Sequence, residues 1–252
     1  MIEYKIISSG SVGNAVKLTF QNGIKMMIDI GLSYKALKNE LQDCHLLFVS
    51  HIHSDHLNVG CYNQIRKNQP WVKVIACEEV NELVISKGKK PVDIIVTHGS
   101  EIEVSGVKCT FLDAPHEVQN LGIIGESDGQ TFLYSTDLMT TFAFSEYLDN
   151  VGKTIDLLLL EANYDPAVIG YSEYMKIHSG YDTYNNGSYR HLSTVANKQF
   201  AEKYLSAGGV SIPLHKSGSY YSYRDLKDHQ DLDDSHDNAF IEYCKERGYD
   251  YV

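Results

Sequence analysis

Basic residues are scarce in this sequence relative to acidic ones. The 252 residues include 22 lysines and arginines against 33 aspartates and glutamates, which gives a net charge of −11. Proteins that hold a polynucleotide usually present an extended basic surface, so this charge argues against stable nucleic-acid binding. A small anionic substrate remains compatible with the charge, because a bound metal ion can supply positive charge locally.

Long apolar runs and paired cysteines are also missing. No apolar run approaches the ~18 residues that a membrane-spanning helix needs, and the first residues do not resemble a signal peptide. The five cysteines are scattered without a Cys-x-x-Cys pair, which is typical of free thiols in a reducing compartment. We therefore expect a cytoplasmic protein with no membrane partner.

Strand-like and helix-like segments alternate along the chain, which is typical of the α/β class. Continuous apolar residues predict buried strands at 46–49 and 156–160. A helix is predicted at 193–205, with Ser193 as its N-cap and Gly208-Gly209 after its end. The length and the lack of a linker predict a single domain over 1–252.

A tyrosine-rich segment at about 166–190 interrupts this alternation. It contains five tyrosines and three glycines and few apolar aliphatic residues. Long irregular segments in compact domains are often functional. We therefore predict that this segment forms a lid or a dimer arm.

Three histidines and an aspartate fall within the six residues His51-Ile52-His53-Ser54-Asp55-His56. They follow the strand predicted at 46–49, so they lie where a strand ends and a loop begins. Side chains held in this way can converge on one point, and zinc accepts both imidazole and carboxylate ligands. The cluster therefore predicts a metal site.

Other predicted strands also end in residues that could bind a metal: Asp29, His116, Asp137 and His215. A lone histidine after a strand is usually structural. Several such strand ends, together with the six-residue cluster, instead favour a site with two metal ions at one edge of a sheet sandwich. Zinc is the expected metal, and manganese or iron would also suit these ligands.

The candidate ligands divide between the two ions. The first ion would be held by His51, His53 and His116. The second ion would be held by Asp55, His56 and His215. Asp137 would bridge the ions, since a carboxylate has two oxygens, and Asp29 would orient a histidine or cap the loop. Paired metals about 3.5–4 Å apart activate a shared water as the nucleophile.

With these residues the chain resembles the metallo-β-lactamase fold superfamily over nearly its whole length. The resemblance implies an αββα sandwich, an active site on one edge, and two metal ions, commonly zinc, on the seven predicted ligands. Aspartate at 137, where common β-lactamases use cysteine, resembles the phosphodiesterase and glyoxalase II branches. Glyoxalase II has a helical substrate domain that we do not expect in the short sequence after His215, so the phosphodiesterase branch is the one we favour.

Three further motifs resemble a nuclease-like and phosphodiesterase branch: Ser9-Gly10-Ser11-Val12-Gly13-Asn14, Glu161-Ala162-Asn163-Tyr164-Asp165 and His191-Leu192-Ser193. Taken alone, the glycine- and serine-rich loop is best interpreted as a plain turn, because it lacks the lysine of a P-loop. The resemblance instead places it beside the active site. It also implies that His191 faces the scissile phosphate, where it would assist the leaving oxygen. His191 and Asp55 are the predicted catalytic residues.

Within this branch the chain is most similar to the anti-Pycsar group of phage proteins, and the segment 214–221 fits that group. The resemblance implies a homodimer in the bacterial host cytoplasm. Such a dimer would hydrolyse cyclic CMP, cyclic UMP and related 3′,5′-cyclic mononucleotides, and so counteract antiphage signalling. A metal-dependent exonuclease or tRNA 3′-processing ribonuclease is the alternative. A non-catalytic binding protein on the same fold is a third hypothesis.

Overall fold

The computed structural model describes residues 1–164 and 190–217, and its strands form two six-stranded sheets. The first sheet contains, side by side in this order, β1 to β6 at Glu3–Ser8, Ala15–Thr19, Lys25–Ile28, Leu46–Val49, Lys73–Ala76 and Ile94–Ile95. The second sheet contains, also side by side in chain order, β7 to β12 at Glu101–Val104, Val107–Asp113, Leu121–Ser127, Gln130–Ser135, Ile155–Glu161 and Leu205–Leu214.

Five helices of the described residues pack on these sheets, α1 to α5 at Tyr34–Leu41, Val59–Asn68, Glu78–Ser86, Phe142–Val151 and Thr194–Tyr204. Buried side chains of α1, α2 and α3 belong to the same apolar core as the first sheet. Those of α4 and α5 form a second core with the outer face of the second sheet. The predicted αββα sandwich of the α/β class is therefore confirmed.

Aromatic side chains join the inner faces of the two sheets. The rings of Phe48 on β4 and Phe111 on β8 lie 5.2 Å apart, and those of Phe20 and Phe132 lie 5.6 Å apart. All four rings are almost completely buried. Burying a large apolar side chain stabilises a fold by about 1.5–3 kcal/mol, so these pairs contribute strongly to holding the sheets together.

The strand directions bring many chain segments to one edge of the sandwich. Strands β3 to β6 are parallel, and so are β10 to β12, while β8 is antiparallel to β9 and β9 to β10. Strands β3, β4, β8, β10, β11 and β12 therefore end at the same edge. The seven predicted ligands follow four of these strands, β4, β8, β10 and β12, and Asp29 follows β3, so the topology explains how these residues can meet.

Both ends of α5 agree with the helix predicted at 193–205, but the two glycines after it have a different role from the one predicted. Ser193 is the N-cap, and its hydroxyl accepts a hydrogen bond from the N–H of Ala196 at 3.1 Å. The helix ends at Tyr204, and Gly208 and Gly209 lie inside β12, where the pairing with β11 shifts between Leu205 and Val210. The prediction that these glycines terminate the helix was wrong, because they form a bulge in a strand instead.

Several other predictions fall on parts of the chain outside the described residues. These include nearly all of the tyrosine-rich segment, the residues after 217, and Cys244. The other four cysteines, Cys44, Cys61, Cys77 and Cys109, are buried free thiols. None of the helices in the described part of the chain is long and apolar enough to cross a membrane.

A buried ion pair fastens α2 to the chain segment before β6. Arg66 is almost fully buried, and its guanidinium donates two hydrogen bonds to Asp93, at 2.6 and 2.9 Å. Asp93 also accepts a hydrogen bond from the N–H of Val74. Burial raises the pKa of the Asp93 carboxyl, but the hydrogen bonds from Arg66 and Val74 outweigh burial and lower this pKa below its ordinary value.

We expect Asp93→Ala to lower the free energy of unfolding by about 3 kcal/mol, because it leaves the buried Arg66 charge without its partner. Urea titration with a chelator present would measure this loss. Asp43→Ala, which removes a more exposed carboxylate, should cost much less. The wild-type contribution is present above the unfolded-state pKa and is lost as pH falls through the folded pKa. A pH-independent difference between wild type and Asp93→Ala would contradict this account.

Candidate metal centre

The six-residue histidine cluster forms a turn between β4 and α2 that is held by backbone hydrogen bonds. The carbonyl of Asp55 accepts from the N–H of Asn14 at 2.7 Å, and the carbonyl of His56 accepts from the N–H of Ile30 at 2.9 Å. Gly31 packs so closely that a Cβ there would lie 1.7 Å from the Asp55 carbonyl oxygen. Only glycine fits at this position, so the segment after β3 fixes the backbone of the cluster.

The structure brings the predicted ligands together in overlapping groups whose candidate ligand atoms lie within 4.8 Å of one another. One group consists of His51, His53 and His116. A second consists of Asp55, His56 and His215. A third, which links the first two, consists of His51, His56 and Asp137. The first two groups contain the same residues as the two predicted ligand sets, and a fourth group consists of Asp137, Glu161, His191 and His215.

Asp137 lies between the two groups. Its Oδ2 atom is 2.6 Å from Nε2 of His56 and 4.0 Å from Nε2 of His51, and its Oδ1 atom is 3.6 Å from Nε2 of His215. The carboxylate therefore faces both groups at once, which is the position that a bridging ligand needs.

Three strand ends of the centre have an unusual backbone conformation. Among the described residues, five that are not glycine have positive φ, and three of these are Asp29, Asp137 and His215, at 60°, 55° and 50°. The left-handed region is unfavourable for residues with a Cβ, and such residues cluster at functional sites. Each backbone turns sharply as its strand ends, and this turn directs the side chain toward the edge of the sandwich.

The carboxylates of the centre attract positive charge to it. Burial lowers the pKa of His56, but Asp29 and Asp137 outweigh burial and raise this pKa to about 10. Burial likewise lowers the pKa of His215, but the nearby carboxylates of Asp55, Glu161 and Asp137 raise it well above its ordinary value. Positive charge is thus favourable here, whether it comes from protons or from cations, and a cation would displace the protons.

Two other histidines favour the neutral form that binds metals. Burial lowers the pKa of His51 well below its ordinary value, and burial also lowers the pKa of His116. Nε2 of His51, Nδ1 of His116 and Nε2 of His215 are buried without a hydrogen-bond partner among the described residues. Buried polar atoms without a partner are costly. Neutral imidazoles, carboxylates and these three nitrogens fit a pair of divalent cations.

Glu161, at the end of β11, is a buried residue of the centre to which the sequence reasoning assigned no role. Its Oε1 atom is 2.7 Å from Nδ1 of His191 and 3.2 Å from Nδ1 of His215. Its Oε2 atom accepts from the N–H groups of Leu138 and Leu192. A polar residue directly after the buried run 156–160 was the signal that could have identified it, because the predicted ligands also follow apolar strands.

Glu161 sets the tautomers of two histidines. Burial raises the pKa of the Glu161 carboxyl, but hydrogen bonds from His191 and His215 outweigh burial and lower it, so the group is ionised. An ionised carboxylate accepts the Nδ1 protons of both rings and leaves both Nε2 atoms available for other partners. The ring of His191 stacks on that of His215 at 5.4 Å and lies 5.7 Å from that of His116.

The glycine- and serine-rich loop borders the centre. The Asn14 amide nitrogen lies 2.8 Å from Nε2 of His56 and 3.4 Å from Oδ2 of Asp55. The Ser9 hydroxyl accepts a hydrogen bond from the N–H of His215 at 2.7 Å. The loop thus contacts the cluster and the end of β12, which agrees with the position that the resemblance implied for it.

The family is decided by a match across the middle of the chain. The sequence model of one family, described as a beta-lactamase superfamily domain, matches residues 30–196, which is more than half of the chain. The chain belongs to the beta-lactamase superfamily. The matched residues of the chain include the cluster at 51–56, His116, Asp137 and His191. The match ends before His215.

Solved structures of the metallo-β-lactamase fold are similar to this superfamily member over most of its length. The fold protein YhfI from Bacillus subtilis is 15% identical over 90% of each chain, with a TM-score of 0.65. The short form of human tRNase Z is 15% identical over 86% of this chain and 93% of its own, with a TM-score of 0.60. A diphosphatase of the PhnP family is 16% identical over 86% and 87%, with a TM-score of 0.59.

At these identities the structural similarity establishes the fold alone. A search of curated protein sequences finds no match. Membership of the superfamily and the grouped histidines and aspartates together indicate a metal-dependent hydrolase.

Proposed function

We propose that this protein is a phosphodiesterase that uses two divalent metal ions to hydrolyse 3′,5′-cyclic mononucleotides to linear monophosphates. The ions, with zinc proposed and manganese as the alternative, would be held by His51, His53, Asp55, His56, His116, Asp137 and His215. One observation carries the proposal: His191 is oriented through its Nδ1 atom by Glu161 at 2.7 Å, and its ring lies beside both ligand groups, 5.4 Å from that of His215 and 5.7 Å from that of His116. A histidine in this position can act as the general acid that protonates the leaving oxygen of a phosphodiester.

The chemistry follows from the groups around the centre. When bound, two divalent ions lower the pKa of a water molecule and stabilise charge on phosphoryl oxygens. Asp55 is half-buried, with Oδ2 3.5 Å from Nε2 of His56 and 3.7 Å from Nε2 of His215, so it can orient this water and accept its proton. The water oxygen bonds to phosphorus as the bond from phosphorus to the 3′ oxygen breaks. His191, protonated on both ring nitrogens, donates its Nε2 proton to that oxygen and keeps the Nδ1 proton that Glu161 accepts.

We propose a small substrate because the net charge of the chain is −11, which is unfavourable for binding a polynucleotide. A cyclic mononucleotide carries a single negative charge on its phosphodiester, which the metal centre can balance without an extended basic surface. By its resemblance to the anti-Pycsar group, we propose cyclic CMP and cyclic UMP as substrates. We also propose a homodimeric assembly and a role against bacterial antiphage signalling in the host cytoplasm.

A second candidate function is that of an exonuclease or a tRNA 3′-processing ribonuclease. The similarity to human tRNase Z favours it, at a TM-score of 0.60 over most of both chains. The same ligand groups and the same His191–Glu161 pair would serve an RNA phosphodiester equally well. The acidic charge is the observation that favours the smaller substrate.

A substrate panel separates the two functions. Purified protein is incubated with 3′,5′-cyclic mononucleotides, 2′,3′-cyclic mononucleotides and short RNA that includes a tRNA 3′ extension, each with and without a chelator. We expect linear monophosphate from the 3′,5′-cyclic set, and we expect the chelator to abolish its formation. Cleavage of RNA alone would support the ribonuclease and overturn the cyclic-nucleotide proposal. Chelator-resistant turnover would contradict the metal centre itself.

A further inference from the structure

Asp29 is a buried hydrogen-bond acceptor at the base of the metal centre. It is fully buried, and its Oδ1 atom accepts from the N–H of Ser50 at 2.8 Å. Its Oδ2 atom lies 3.0 Å from the Ser50 hydroxyl, 2.7 Å from Nδ1 of His56 and 2.7 Å from the Tyr134 hydroxyl. Three donors thus meet at one carboxylate oxygen, and one of them comes from the opposite sheet.

The proton positions in this cluster follow from the ligand roles proposed above. If Nε2 of His56 binds a metal, its Nδ1 carries the proton and donates it to Asp29. Nδ1 of His51 lies 3.0 Å from the Ser50 hydroxyl oxygen. The ring can donate to that oxygen while the hydroxyl donates to Asp29. Asp29 therefore orients one histidine of each ligand group, directly for His56 and through Ser50 for His51.

Tyr134 joins this acceptor to the second sheet. Its side chain is 1% exposed and projects from β10, whereas Asp29 and Ser50 follow strands of the first sheet. Burial and the Asp29 carboxylate raise the pKa of the Tyr134 hydroxyl well above its ordinary value, so it stays protonated and can donate. The hydroxyl is also 3.3 Å from Oγ1 of Thr136, the neighbour of Asp137.

We propose that Tyr134 is a positioning residue that aligns the metal centre across the two sheets by holding Asp29 through its hydroxyl. The first sheet supplies His51 and His56, and the second supplies Asp137 and His215, so the spacing of the two ligand groups depends on a link between sheets. Tyr134 supplies that link at the site of the ligands themselves. This inference rests on the metal centre in the proposed function and is independent of the substrate.

The test is metal binding by Tyr134→Phe, which removes one oxygen atom and keeps the buried ring. Zinc affinity is measured by competition with a chromophoric chelator, and the two sites are followed separately by the visible spectra of the cobalt-loaded protein. We expect the site that contains His56 to bind about 10- to 100-fold more weakly, the range typical of groups that orient metal ligands. Unchanged affinities at both sites would overturn the proposal.

Two further variants keep the result interpretable. Tyr204→Phe is the matched control, because the Tyr204 hydroxyl also donates to an aspartate, Asp149 at 3.0 Å, but lies on α5 outside the ligand groups. Tyr204→Phe should bind both zinc ions with wild-type affinity. If Tyr204→Phe lost as much zinc affinity as Tyr134→Phe, the proposal would also be overturned. Ser50→Ala tests the same acceptor if Tyr134→Phe does not fold. Ser50→Ala should weaken zinc binding more at the site that contains His51 than at the site that contains His56. Wild-type affinity at both sites in Ser50→Ala would contradict the role of Asp29 in orienting the two histidines.

The outcome also separates this inference from the proposed function. A wild-type protein that binds no more than one zinc ion would contradict the proposed metal centre. Two bound ions with unaltered binding by Tyr134→Phe would contradict only the role of Tyr134. Failure to hydrolyse any cyclic nucleotide would leave the zinc titrations, and therefore the conclusion about Tyr134, unaffected.

Discussion

We expect His116→Ala to abolish hydrolysis of every phosphodiester substrate and to remove one of the two proposed metal ions. Among the described residues, His116 is the only member of its group that comes from the second sheet. Its removal leaves that group with His51 and His53. A catalytic metal is worth several kcal/mol of transition-state stabilisation, so we expect kcat/KM to fall by more than about 10³-fold. Steady-state kinetics and metal analysis of the purified variant measure both effects.

The control for this experiment is His45→Ala. His45 is an exposed histidine that precedes β4, so it lies at the opposite edge of the sandwich from the centre. Its substitution should leave both activity and metal content unchanged. Full activity in His116→Ala would show that the proposed ligand assignment is wrong.

The second large effect is expected from His191→Ala, which should lower kcat by about 10²- to 10⁴-fold while both metal ions remain bound. This range is typical for the loss of one positioned acid–base group. His191 faces both ligand groups, and its Nδ1 atom is already engaged by Glu161 at 2.7 Å. Single-turnover kinetics, with metal analysis of the same sample, measure the two properties independently.

A pH profile distinguishes proton donation from simple packing. A general acid must be protonated to act, so the wild-type rate should decline on the alkaline side, and His191→Ala should lose that decline. Loss of metal from His191→Ala would instead identify it as a ligand. A small effect on kcat with an unaltered pH profile would indicate that the ring only packs beside His215.

Much of the fold could be predicted because its signals are local. The strand at Leu46–Val49 is a continuous apolar run, and the structure confirms its bounds. The capping hydroxyl of Ser193 identified the start of α5. In contrast, α4 was missed, because it has no acidic residue in its first turn and no basic residue in its last turn to mark its ends in the sequence. Strand β7 was missed too, because its four residues alternate between charged and apolar and form an edge of the sheet.

Metal-ligand types could be recognised at strand ends for the same local reason. A histidine or aspartate after an apolar run is visible in one stretch of sequence, and the cluster at 51–56 holds four such residues together. The sequence also indicated that several strand ends meet, since α/β sandwiches align the ends of their strands along an edge. It did not indicate which side chains touch there.

The sequence by itself therefore determined the α/β class, the candidate ligands and the position of His191 before a helix. Only the tertiary structure decided that Glu161 joins His191 to His215, and that Tyr134 reaches Asp29, which lies 105 positions earlier in the chain. Local patterns reflect periodicity and residue type within a few positions of the chain. Hydrogen bonds between sheets depend on how two separately formed layers stack, and that arrangement is set by the packing of the whole core.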